Sequence, residues 1–96
     1  MDVSRRGSDV LIEGNIKTIG DFQAIKECID PMITPKMQLH VIIKNSISMT
    51  SSVIGYFTKL VLRDSVNLSL SIEDDDLIGL LDDLGVSQLL HVRKLG

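Results

Sequence analysis

The sequence predicts a single small α/β domain, a four- or five-stranded mixed sheet with helices packed on it, and three observations carry that prediction. Apolar residues alternate with polar ones in "NLSLSI", the period of a strand with one face buried, and "DVLIEG" sets Val10 and Ile12 on one side. They recur at helical spacing in "TIGDFQAIKECI", "SSVIGYFTKL" and "DDDLIGLLDDLG". The two kinds of segment take turns along the chain, an order that right-handed crossovers convert into a largely parallel sheet.

The chain opens as a hairpin. "DVSR" and "DVLIEG" flank a turn at Arg6, Gly7 and Ser8, with Val10 and Ile12 on one side and Gly14 ending the second strand. Phe22, Ile25, Ile29 and, more loosely, Ile33 then mark a helix, with Thr18 or Asp21 as its cap. Pro31 ends or kinks it, because the residue before a proline is pushed out of helical geometry. "MQLHVIIKN" is continuously apolar and β-branched, the mark of a strand buried on both faces.

From Ser51 to about Arg63 a second helix carries Ile54, Phe57 and Val61 as its core stripe, with Val53 and Leu60 beside them. The strand "NLSLSI" follows, with Leu68, Leu70 and Ile72 on one face. "EDDDLIGLLDDLG" is a short helix with acids in its first turn and Gly85 at its C-terminal end, both favoured by the helix dipole and cap geometry. "QLLHVRKL" supplies a final turn and short strand.

Composition excludes several classes of function. The 96 residues suit one small domain. A hydrophobic share of 44% against 24% charged residues is that of an ordinary globular chain. The net charge of −3 argues against a nucleic-acid partner. No apolar stretch approaches the roughly 20 residues of a membrane span, and "MDVSRRGSDV" lacks the apolar core of a signal peptide. A cytoplasmic protein without direct membrane insertion is expected. The single cysteine, Cys28, excludes an internal disulfide framework and reads as a packed helix residue.

The motifs of chemistry are missing. No glycine-rich phosphate cradle is present. His40 and His91 lie far apart, each in a strand-like run, and no spacing suits a metal site, so neither metal nor cofactor is expected. The acids Glu73 to Asp76 lack the ligand rhythm of a calcium loop and read as a solvated helix start. A Ser-His-acid triad has members that meet only in the fold. Ser51 and Ser52 have no nucleophile elbow around them, and enzymatic activity is not expected.

What remains is the hydroxyl cluster Thr50, Ser51 and Ser52 at the start of the second helix. Hydroxyls there cap the first-turn N–H groups, and a phosphoryl group would meet the favourable end of the helix dipole. Ser51, Gly55, Thr58 and Leu62 share one stripe of the helix, and Ser52, Tyr56, Lys59 and Arg63 the next. Both lie off the expected core stripe. The helix thus offers a small-residue surface at Gly55, an exposed Tyr56 and an apolar Leu62 rimmed by cations, a patch suited to protein docking.

Four patterns in order, "LIEGNIKT", "LHVIIKN" leading through "SISM" into "TSSVIGYFTKL", "NLSLSI", and "LLDDLGVSQLLHV", resemble the STAS domain, the fold of sulfate transporters and anti-sigma-factor antagonists. Together they cover the chain from about Val3 to Leu95. The resemblance implies a bacterial signalling module that does no chemistry itself. In the antagonists a strand runs into an Asp-Ser-Ser/Thr-Gly-Leu-Gly turn, and a serine there is phosphorylated by a partner kinase that is also an anti-sigma factor. The unphosphorylated form binds that partner, and the phosphorylated form releases it.

On this sequence the resemblance places the acid at Thr50, the hydroxyl pair at Ser51 and Ser52, the next glycine at Val53, the leucine at Ile54 and the last glycine at Gly55. It implies Ser51 or Ser52 as phosphoacceptor. The partner-binding surface would comprise Thr50, Val53, Gly55, Tyr56, Thr58, Lys59 and Leu62. Thr50 and Val53 depart from the pattern. Some relatives act without phosphorylation, as subunits of transporters or signalling complexes, so a larger STAS-containing complex is the alternative partner.

Overall fold

A computed structural model describes residues 1–96. Five strands form one mixed sheet in the order β1-β2-β3-β4-β5, with β1 (Asp2–Arg6), β2 (Asp9–Glu13), β3 (Gln38–Lys44), β4 (Asn67–Ile72) and β5 (Val92–Lys94). β1 pairs antiparallel with β2 and every other pair is parallel. The helices α1 (Ile19–Ile29), α2 (Ser51–Leu62) and α3 (Asp75–Asp83) fill the three crossovers. Strands added in sequence order with right-handed crossovers put every helix on one side of the sheet.

The burial pattern agrees. In register across the sheet, Val10 pairs with Val41 and Val41 with Leu70, while Ile12 pairs with Ile43 and Ile43 with Ile72. All six are fully buried in one cluster with Ile25 and Ile29 of α1, Val53, Phe57 and Leu60 of α2, and Leu77 and Leu81 of α3. The opposite face carries Asp9, Leu11 and Glu13 on β2 and His40, Ile42 and Lys44 on β3, and none of them is fully buried. The expectation that β3 is buried on both faces is therefore corrected: within the chain it alternates. Its apolar run continues because Ile42 stands on the uncovered face, half-buried beside Leu11.

Local signals set the boundaries. Thr18 caps α1: its Oγ1 accepts the Asp21 N–H at 3.0 Å, while the Asp21 carboxylate accepts the N–H groups of Thr18 and Lys17. These bonds, that from Lys17 foremost, hold the Asp21 carboxyl below the usual carboxylate range. α1 ends at Ile29, and Asp30, Pro31 and Met32 form one 3-10 turn, as the proline requires. Asp74 caps α3 by accepting the Leu77 N–H at 2.9 Å. His91 was expected in a strand. It lies instead in the turn before β5, at φ +49°, with its Nδ1 against the Leu68 carbonyl at 2.8 Å.

Candidate protein-binding site

The hydroxyl cluster lies at the ends of the parallel strands from which the crossovers leave, the edge of an open α/β sheet where sites collect. Three loops meet there and are stitched together by polar contacts. Ser46, fully buried, donates its hydroxyl to the Gly14 carbonyl at 2.5 Å. The Ile47 N–H donates to Asn15 Oδ1 at 2.9 Å, and the Ser48 hydroxyl reaches the Ile16 carbonyl at 3.4 Å. On the other side the Asn45 N–H donates to Glu73 Oε1 at 3.0 Å. The loop entering α2 is thus braced against both neighbours, because its backbone cannot join the sheet and needs other partners.

Thr50 is the helix cap. Its backbone is extended, and its Oγ1 accepts the Val53 N–H at 3.3 Å. The capping role of the cluster belongs to Thr50, which leaves Ser51 and Ser52 as the first two helical residues, both exposed. Gly55, Lys59 and Leu62 are exposed on the same helix, Leu62 at 68%. Nothing lies within 4 Å of where a Gly55 side chain would begin.

Two expected members of the surface are elsewhere. Val53 is fully buried and Tyr56 is only 5% exposed. The physical reason is a rotation of the helix: its inward face is Val53, Tyr56, Phe57 and Leu60, while Ile54 and Val61 are half-buried at the margin. Tyr56 fits inside because its hydroxyl has a partner, Asp30 at 2.5 Å, and its ring meets Phe22 edge-on with centroids 6.0 Å apart. Burial, then the bond to Asp30, pushes the Tyr56 hydroxyl well above the ordinary tyrosine range. Thr58 is half-buried and turns its hydroxyl back to the Ile54 carbonyl at 2.8 Å.

Two exposed apolar side chains border the same end of the molecule and were not anticipated. Ile19 opens α1 at 76% exposure, and Ile47 lies in the loop before α2 at 64%. The signal for Ile47 was available, a lone isoleucine between two serines in a polar loop. No comparable signal marks Ser46, whose burial depends on Gly14 across the fold.

None of the concave regions of the surface is lined by residues 45–52. A groove of about 310 Å³ lies at the opposite end of the uncovered sheet face, between His40, Ser69, His91 and Arg93. His40 and His91, distant in sequence, thus line one groove, yet no three metal-ligating side chains converge anywhere. The fold does align Asp9, His40 and Ser71: His40 Nε2 is 2.7 Å from Ser71 Oγ, and His40 Nδ1 is 3.8 Å from Asp9 Oδ1. Ser71 is mid-strand and only 4% exposed. Its neighbouring N–H groups are committed to the sheet, so no oxyanion donors face it. The contact braces β3 to β4.

No helix is long and apolar enough to cross a membrane. Comparison with family models, with curated proteins and with solved structures finds no match to this chain.

Proposed function

We propose that the chain is a non-enzymatic, cytoplasmic binding module of bacterial signalling, similar to the STAS domains of anti-sigma-factor antagonists, whose partner binding is controlled by phosphorylation of Ser51 or Ser52. The observation that carries the reading is the division of labour at the start of α2. Thr50 caps the helix, and the next two hydroxyls are exposed. A phosphoryl group on either would lie at the positive end of the helix, where first-turn N–H groups favour an anion. It adds a charge of about −1.5 to −2 at neutral pH.

The partner is a protein, in this reading a serine kinase that is also an anti-sigma factor. It would dock on Ser51, Ser52, Gly55, Lys59 and Leu62, with Ile19 and Ile47 at the border. A neutral hydroxyl buried in that interface becomes a strongly solvated anion on phosphorylation, and the interface loses affinity. The domain need not unfold for this.

One observation favours a second reading, a constitutive subunit of a transporter or signalling complex. Where the antagonist pattern has an acid, Thr50 occupies the cap, and Val53 in place of a glycine is packed in the core. The two readings separate by intact-mass measurement with site mapping on protein from its native cells, beside Ser51→Ala and Ser52→Ala versions. A phosphoryl group lost in one variant supports the switch and names the acceptor. Absence of modification under growth and stress conditions supports the constitutive subunit.

A further inference from the structure

Parallel sheets are covered on both faces in nearly all known folds, because crossover helices and partners bury them. Here β2 to β5 are parallel, and the chain covers one face only. The bare face has an apolar centre, Leu11 beside Ile42, between two rows of polar and charged side chains. Asp9 is in register with His40 on one side of that centre, and Glu13 with Lys44 on the other. Asp9 and His40 approach one another within the chain at 3.8 Å, whereas Glu13 and Lys44 take part in no ion pair.

We propose that a second copy of this chain covers the face, the two sheets stacking about a two-fold axis that runs parallel to the strands between β2 and β3. The face is self-complementary under that operation. Rotation exchanges β2 and β3, so each β2 residue comes to lie over the partner's counterpart of its own β3 neighbour. Leu11 meets the partner's Ile42, Glu13 the partner's Lys44, and Asp9 the partner's His40. The register continues outward with β1 over β4, where Ser4 lies over the partner's Ser71 and Arg6 over the partner's Ser69. Every contact occurs twice, and the charge match rests on Glu13 with the partner's Lys44, since Asp2, in register with Glu13 at the outer corner, comes level with the partner's Glu73.

Four strands spaced about 4.8 Å and three same-side rows about 6.8 Å apart make a face on the order of 400 Å² per copy. A standard interface buries about 800 Å² per partner, so the dimer is a weak one. It leaves the start of α2 free, because the helices lie on the other side of the sheet. The proposal therefore stands independently of any role for Ser51 or Ser52.

The test is sedimentation equilibrium of the full chain at low salt, from about 10 μM to about 1 mM, the range in which an interface of this size associates. The wild type should show a monomer–dimer equilibrium. Glu13→Lys and Lys44→Glu should each weaken it about ten-fold, since each reversal acts at two symmetric contacts. The double variant Glu13→Lys/Lys44→Glu should recover it. Circular dichroism checks that each variant is folded. A wild type monomeric throughout overturns the proposal, as does a dimer that the single reversals leave intact or the double variant fails to restore.

Discussion

The hydroxyl of Tyr56 donates to the Asp30 carboxylate at 2.5 Å and ties the middle of α2 to the end of α1. Asp30 also receives Lys26 at 3.2 Å. Burial raises its pKa, but the bonds from Tyr56 and Lys26 outweigh that, and the carboxyl is held below its usual value. A bond of this kind between two helices fixes the rotation of α2, and with it which residues face outward.

Tyr56→Phe should therefore destabilise the fold by about 1.5 to 3 kcal/mol, the range for a hydrogen bond to a charged group. In a chain of this size that lowers Tm by about 4 to 8 °C per kcal/mol. The effect depends on acid in a definite direction. Asp30 has a depressed folded pKa, so its stabilising contribution is complete above the unfolded value near 4 and is lost as pH falls through the folded one. Urea titrations of wild type and Tyr56→Phe should converge once pH falls below the depressed folded-state value of Asp30, where the carboxyl is protonated in both states.

The start of α2 separates capping from exposure. Thr50→Ala removes the only side-chain cap and should cost about 1 kcal/mol. Ser51→Ala and Ser52→Ala should stay within about 0.5 kcal/mol of wild type, since both side chains are exposed. Ser51→Asp should raise stability by about 0.3 to 1 kcal/mol through the helix dipole. Thermal unfolding of the four variants checks this. A large loss in either serine variant would mean that these hydroxyls hold the loop.

Much of the architecture was legible because local pattern and tertiary role agree. The alternation of Leu68, Leu70 and Ile72, a cap at Thr18 or Asp21 and the break at Pro31 each act over a few residues. The rotation of α2 was not legible. Its periodicity permits inward faces centred on Ile54, Phe57 and Val61 or on Val53, Phe57 and Leu60. The choice depends on whether the Tyr56 hydroxyl finds a partner, and Asp30 lies 26 positions away. Likewise β3 reads as buried on two sides because Ile42 is apolar, and only the topology shows that every helix falls on the other side. The exposed Ser51, Ser52, Gly55, Lys59 and Leu62 were found because they survive either rotation.

The loop brace is testable through Ser46. Ser46→Ala deletes a buried hydroxyl and leaves the Gly14 carbonyl without that donor, which should cost about 1 to 3 kcal/mol. Hydrogen exchange at the Ile47 amide, whose acceptor is Asn15 on the same neighbouring loop, should speed up by more than global stability alone accounts for. Equal acceleration of core amides in β3 would instead mean that the loop opens only with the whole domain.

Gly55 separates stability from binding. It lies in the interior of α2, exposed, with nothing within 4 Å of an added side chain. Its φ lies outside the left-handed region, so alanine meets neither a clash nor strain. Glycine costs a helix interior about 0.5 to 1 kcal/mol relative to alanine, and Gly55→Ala should stabilise the chain by about that amount. If α2 docks on a partner through this surface, the same methyl group stands where the partner's atoms approach the helix, and affinity should fall while Tm rises. Calorimetric unfolding gives the first quantity, and titration with a partner captured from native cells gives the second. A variant that is stabilised and binds unchanged would move the docking surface away from Gly55 and toward the loop side, at Ile19 and Ile47.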